Sequence, residues 1–289
     1  MRIIEDNQNT MIEDISHFNL TQTLECGQCF RFHQIEKLEY IVIAKGSLLH
    51  IKQIENNLVF YNTSRHKVEN VWLDYFDLNR NYGEIKEALL GKDERIRTAI
   101  EEKYGVRILN QDFHEVLITF IISQNKQIPH IKQIIARISK QYGRFLGQID
   151  GEEYYDFPTL HALKNITEQQ FRDMKTGFRA PYLVDAISKL AEGLSAESLQ
   201  GFSYGEAKEE LLKIKGVGAK VANCVLLFGL GYRNAFPVDV WVKRAMESVY
   251  FKKETPVADI TTFARETFGE YGGYAQQYLF YYTRDKKIS

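Results

Sequence analysis

The segment 203-SYGEAKEELLKIKGVGAKVANCVLLFGLGYRNAFPVDVWVKRAM-246 decides how the rest of the chain is read. Ser203 with Glu206 three residues on is a capping-box start, and Leu211, Leu212 and Ile214 supply the apolar side of a short helix stopping at Gly216. Gly216 and Gly218 permit a tight reversal, after which Ala219 to Leu230 repeats apolar residues at helical spacing through Val221, Val225 and Phe228. The pattern predicts two helices joined by a Gly-Val-Gly hairpin. At the start of the second helix the amides lack intrahelical partners and the dipole is positive, so Gly216 and Gly218 are candidates to hold a phosphate whatever the sequence.

Two side chains in this segment can carry chemistry. Lys220 lies in the first turn of the second helix, and a lysine amine in its neutral form is a nucleophile. Pro237-Val238-Asp239 precedes a further helix, Val240 to Met246, with Asp239 at its N-cap, so a carboxylate is fixed by a rigid turn. Each has an ordinary alternative, a solvated helix lysine and a capping aspartate. Together the hairpin, its lysine and the Pro-Val-Asp string resemble the helix-hairpin-helix, Gly/Pro-Asp superfamily of base-excision DNA glycosylases. The resemblance implies that Lys220 attacks the sugar carbon and forms a Schiff base, and that Asp239 is the aspartate of the motif.

Working back toward the N-terminus, Cys26-Gly27-Gln28-Cys29-Phe30-Arg31-Phe32 could suggest half a zinc site or a redox pair. No second ligand pair follows it, and it precedes a run of strands instead of following one, so both readings fail. The string resembles instead the loop that opens the N-terminal domain of the 8-oxoguanine glycosylases, which implies that the Gly27 carbonyl touches the damaged base. Oxidation turns guanine N7 from an acceptor into an N–H donor, and a backbone carbonyl can detect that donor at close approach.

The same resemblance extends to other strings. In Ser123-Gln124-Asn125-Lys126-Gln127-Ile128-Pro129-His130 it makes Asn125 a residue inserted into DNA, with His130 beside it. In Thr176-Gly177-Phe178-Arg179-Ala180 it makes Phe178 a wedge beside the orphaned base and Arg179 a donor to it. In the aromatic stretch 271-YGGYAQQYLFYY-282 it makes Gln276 the reader of the Watson–Crick edge and Phe280, one turn on, the surface on which the extruded base stacks. Cys224 would lie against the other face of that base. Carbonyls of Leu212, Ile214 and Val217 would form a structural monovalent-cation site. Two positions depart from the pattern: Trp241 stands where family members can carry a phosphate-contacting histidine, and Thr283 where an aspartate is common. Opposite the lesion, the human-type pattern sets an asparagine and two arginines, whereas this chain offers Asn125, Arg179 and His130. One guaranteed cation is missing, so selectivity for cytosine is expected to be weak.

Composition bounds these readings. The 289 residues, 44% hydrophobic, are enough for a large core in one or two domains. A formal charge of −1 gives no overall basic signature, so contact with DNA must be local. Three cysteines cannot ligate a four-cysteine iron–sulfur cluster. Strand-like runs at Tyr40 to Ala44, Leu48 to Ile54 and Leu58 to Tyr61 give way to helical patterning after Asn70. The expected fold is α+β: a β-rich N-terminal domain, residues 1–107, followed by an all-α helix-hairpin-helix domain, residues 108–289. The expected protein is a cytoplasmic monomer, nucleoid-associated if prokaryotic, whose partner is double-stranded DNA containing 8-oxoguanine, with no iron-sulfur cluster, no small-molecule cofactor and no membrane segment. The alternatives are a glycosylase of the same superfamily for another damaged base, and a non-catalytic helix-hairpin-helix DNA-binding module.

Overall fold

The computed structural model describes residues 1–286; the last three residues of the expected second domain lie outside the described residues. A six-stranded antiparallel sheet occupies the N-terminal region in the order β1-β2-β6-β5-β4-β3, with β1 Arg2–Asp6, β2 Asn9–Glu13, β3 Phe32–Glu36, β4 Glu39–Ala44, β5 Ser47–Ile54 and β6 Asn57–Tyr61. Alternation puts Ile12, Tyr40, Val42, Leu49, Ile51, Leu58 and Phe60 on one face, where they form a core with Leu20, Leu24, Trp72 and Phe76. The turn between β4 and β5, Lys45–Gly46, has both φ positive at 52° and 66°, the handedness that suits a twisted two-residue hairpin. The three strands read from sequence are present. Missing from that reading were β1 and β2, whose stretches RIIED and NTMIE are short and polar, and β3, which is mostly exposed.

The rest is helical: α1 Tyr82–Lys92, α2 Phe113–Ser123, α3 Ile128–Tyr142, α4 Ala180–Ala191, α5 Tyr204–Leu212, α6 Ala219–Gly229, α7 Val240–Met246, α8 Val257–Phe268 and α9 Gly272–Lys286, with shorter turns between them. One exception stands within the region read as all-α. Strands β7 Phe145–Ile149 and β8 Glu152–Tyr155 pair across Asp150–Gly151, both at positive φ. At the centre, α2 is buried from Val116 to Ile122 and packs on α6, with the Phe120 and Phe228 rings stacked at 5.5 Å. A Cβ on Gly229 would stand 3.3 Å from the Phe113 backbone, so the end of α6 is glycine where the two helices touch.

Polar clamps position the loop between the two regions. Gln53 of β5 accepts the Leu20 amide at 2.7 Å and donates to the Phe18 carbonyl at 3.2 Å, fixing the start of the helix Leu20–Glu25 that leads to Gly27. Buried Arg107 donates to the carbonyls of Ser16, His17, Asp77 and Arg80, and so ties the N-terminal segment to the connection between the cores. A buried guanidinium is tolerated because its donors are met. Among the described residues, no helix is long and apolar enough to cross a membrane.

Candidate active site

The hairpin forms as its residues dictate. Ser203 and Glu206 make a reciprocal capping box at the start of α5, Gly218 is the N-cap of α6, and Asp239 is the N-cap of α7. The first helix is shorter than the sequence pattern implied: it ends at Leu212, and Leu212 is 43% exposed instead of lying on the core side. Leu211 and Ile214 are buried as expected. Gly216, at φ +77°, lies against Tyr182 of α4, where a Cβ would come within 2.2 Å of the ring. Gly218 has no atom within 4 Å of that position and is exposed, so its amide end is open to a ligand.

Asp239 accepts the amides of Trp241 at 3.0 Å and Val242 at 2.9 Å through one oxygen, leaving the other free of these bonds. Lys220 is partly buried, its Nζ 5.2 Å from the Phe120 ring centroid. Cys224, one turn further along α6, is buried; burial pushes its thiol up to about 11, with the Lys220 ammonium drawing it down and the Asp239 carboxylate adding to the rise. Lys220 and Cys224, four residues apart on α6, lie on one side of that helix, and the charge of Asp239 is felt at the thiol.

Phe120 joins this locality to the Gly27 loop, because its ring meets Phe30 edge-on at 5.6 Å. The loop itself is held by Gln28, which the sequence reading passed over. Its buried amide donates to the carbonyls of Thr23 and Arg107 and accepts the Leu109 amide at 2.9 Å. Gly27 stands at φ +87°, and a Cβ there would meet Arg284 Nη1 at 2.8 Å and Phe280 Cε1 at 3.1 Å. Gln276 is buried, and its Oε1 has no hydrogen-bond partner among the described residues. The C-x-x-C pair flanking Gly27 is not a disulfide: both thiols are free and buried, and burial pushes Cys26 up to about 11 and Cys29 higher still. Such thiols are poor nucleophiles at neutral pH.

A second group faces outward. Asn125 is exposed in left-handed backbone at φ +49°, in the short connection between α2 and α3, and His130 is exposed in the first turn of α3. Phe178 is 52% exposed. Arg179 is buried, unlike its neighbours in this group. It donates to the Gln124 carbonyl at 2.8 Å through Nε, to the Asn125 carbonyl at 3.1 Å through Nη2, and to the Thr176 carbonyl at 3.1 Å through Nη1. Its guanidinium therefore holds the connection that carries Asn125. Trp241 lies beside Asp239 at the start of α7, and Thr283 is buried within α9.

Comparison with known proteins finds two family models along the chain. Residues 10–117 match the family model of the 8-oxoguanine DNA glycosylase N-terminal domain, and residues 118–269 match that of the HhH-GPD superfamily of base excision DNA repair proteins. The N-glycosylase/DNA lyase OGG1 of Arabidopsis thaliana is 31% identical over 92% of this chain and 78% of its own length. The 8-oxoguanine glycosylase/lyase of Clostridium acetobutylicum, solved with double-stranded DNA containing cytosine opposite 8-oxoG, superposes with a TM-score of 0.95 at 41% identity, covering 100% of this chain and 99% of that one. Its apo form gives a TM-score of 0.91 at 42% identity, over 97% and 98% of the two chains.

Proposed function

The chain belongs to the HhH-GPD superfamily of base excision DNA repair proteins and carries an 8-oxoguanine DNA glycosylase N-terminal domain, and from that premise we propose how its residues divide the work. It is a bifunctional DNA glycosylase and abasic-site lyase whose partner is duplex DNA containing 8-oxoguanine. In our reading the lesion nucleotide is extruded into the space bounded by Gly27, Cys224, Gln276 and Phe280. The neutral amine of Lys220 then attacks C1′, the bond to the base breaks, and the base leaves with the bonding pair. Asp239, held by two amides, stabilises the positive charge that develops on the sugar. The departing base takes a proton from solvent; the C1′–O4′ bond then breaks as the Lys220 nitrogen gives up its proton and forms its second bond to C1′, O4′ is protonated, and the resulting imine acidifies C2′, so that loss of a C2′ proton expels the 3′ phosphate and cuts the strand.

The observation that carries this reading is the placement of Lys220 and Cys224 one turn apart on α6, with Lys220 beside Phe120, whose ring joins them to the Gly27 loop. Gly216 and Gly218 hold a backbone phosphate, Asn125 fills the gap left by the flipped nucleotide, and Phe178 wedges beside the orphaned base. Arg179 serves the orphaned base through Asn125, whose backbone it holds. We extend the proposal to a monovalent cation on the carbonyls of Leu212, Ile214 and Val217. The three residues stand close together in the chain from the end of α5 into the hairpin, and the Ile214 carbonyl already accepts the Val217 amide at 3.0 Å. The chemistry draws on no organic cofactor.

Borohydride reduces an imine to a stable amine. Incubated with a duplex containing 8-oxoguanine and borohydride, the chain should be trapped on DNA, and Lys220→Gln should abolish the adduct. Trapping that persists in the variant would move the nucleophile elsewhere.

A further inference from the structure

Arg284 lies two turns beyond Gln276 and one beyond Phe280 on α9, so the three fall at i, i+4 and i+8 on one helical face. The eight-residue separation spans about 12 Å along the helix, which long side chains at its two ends can narrow to the length of a purine. Gln276 ends in a buried acceptor with no partner, and Arg284 ends in a buried donor, Nη1, with no partner among the described residues. A guanidinium N–H left unmet in a buried place is costly, so its position calls for an acceptor brought by a ligand. The rest of the Arg284 side chain is tied down: Nη2 donates to the Glu25 carbonyl, and the guanidinium lies 5.1 Å from the Phe280 ring centroid and 5.0 Å from that of Tyr281. Nη1 is the buried nitrogen left over, and it lies by Gly27, 2.8 Å from where a Cβ would stand.

We propose that Arg284 is a specificity residue that donates through Nη1 to O8, the acceptor oxygen that oxidation places on C8 of guanine. This rests on the functional reading above, in which Gly27 accepts from N7–H and Gln276 reads the opposite edge of the base. N7 and O8 are neighbours on the five-membered ring, and Gly27 and Arg284 are neighbours in the pocket. The Watson–Crick edge lies at the far end of a purine, as Gln276 lies at the far end of the helical face. Oxidation changes guanine in two ways, a new donor at N7 and a new acceptor at C8, and the pocket answers both.

The test uses the full chain in single-turnover excision from an 8-oxoguanine duplex, beside cleavage of a duplex carrying a preformed abasic site. Arg284→Met should slow excision of 8-oxoguanine roughly tenfold to a hundredfold, the range for a bond to a charged donor, and slow cleavage at the abasic site much less. Arg284→Lys, which keeps a cationic donor, should recover part of the loss. With 8-thioguanine, whose sulfur is a weaker acceptor, the unaltered chain should lose more than R284M does, since only the former has a bond to weaken. Unchanged or faster excision by R284M, an equal loss on both duplexes, or an equal penalty for sulfur in both chains would each overturn the assignment. If the unaltered chain excises no 8-oxoguanine, the functional reading falls first and Arg284's role falls with it.

Discussion

A single imidazole bears on how this enzyme treats the base left behind. His130 is exposed at the start of α3, and Arg179, buried behind that surface, spends its donors on the carbonyls of Gln124, Asn125 and Thr176. Cytosine presents O2 and N3 as acceptors, and a long cation that reaches them discriminates against other bases by roughly 1–3 kcal/mol per good contact. The chain should therefore excise 8-oxoguanine opposite adenine, guanine or thymine with little penalty, and His130→Arg should restore part of a preference for cytosine. Rates on the four duplexes check this, and a strong cytosine preference in the unaltered chain would show that position 130 does not decide it. At this scale the sequence singled out a group of residues that lie mostly exposed and was silent about the one that turns inward. Asn125, His130 and Phe178 are as exposed as residues meant for DNA should be, but nothing in the string Gly-Phe-Arg-Ala says that Arg179 is buried. That follows from two carbonyls 54 and 55 positions away, contacts that only folding creates.

Among the elements, the hairpin was the most legible because its rules are local: a capping box, two glycines and a capping aspartate act within a few residues of themselves. The β7–β8 hairpin was equally local, announced by Asp150-Gly151 between two short runs, and was overlooked because those runs carry little apolar alternation. The two hairpin glycines differ in what surrounds them. Gly216→Ala must place a methyl inside the Tyr182 ring at a left-handed φ, so it should cost roughly 2–4 kcal/mol of stability, read in denaturant titrations. Gly218→Ala meets open space at φ −93°, a conformation any residue adopts, so its stability should change by less than about 0.5 kcal/mol while affinity for duplex DNA falls. Loss of stability without loss of affinity at position 218 would remove it from the phosphate anchor.

For the whole molecule, the junction between sheet and helices is ionic. Glu115 of α2 faces Arg31, just before β3, at 3.5 Å, and Arg31 also reaches Asp156 at 3.6 Å. Burial pushes the Glu115 carboxyl up to about 7; Arg31 draws it back, and Asp112 and Asp156 add to the rise. The folded chain therefore binds this proton more tightly than the unfolded chain, whose carboxyl titrates near 4.5, and the stability it contributes is lost as pH rises through about 7. Glu115→Gln should flatten that fall, narrowing the difference in stability between pH about 5 and about 8 by roughly 1–3 kcal/mol. Thermal melts at the two pH values would show it, and a steeper fall in the variant would rule out burial as the cause. The pocket has a further property that comes from chain order. Its walls meet across 251 positions, where Gln277 of α9 reaches Cys26, and Arg284 closes on the carbonyl of Glu25. During synthesis α6, with the proposed nucleophile Lys220, emerges before α9 can dock, so on that reading a nascent or clipped chain lacking α9 would have an amine but no wall against which to measure a base. On the proposed reading selectivity awaits the docking of α9, and a protease that trims α9 would erase it.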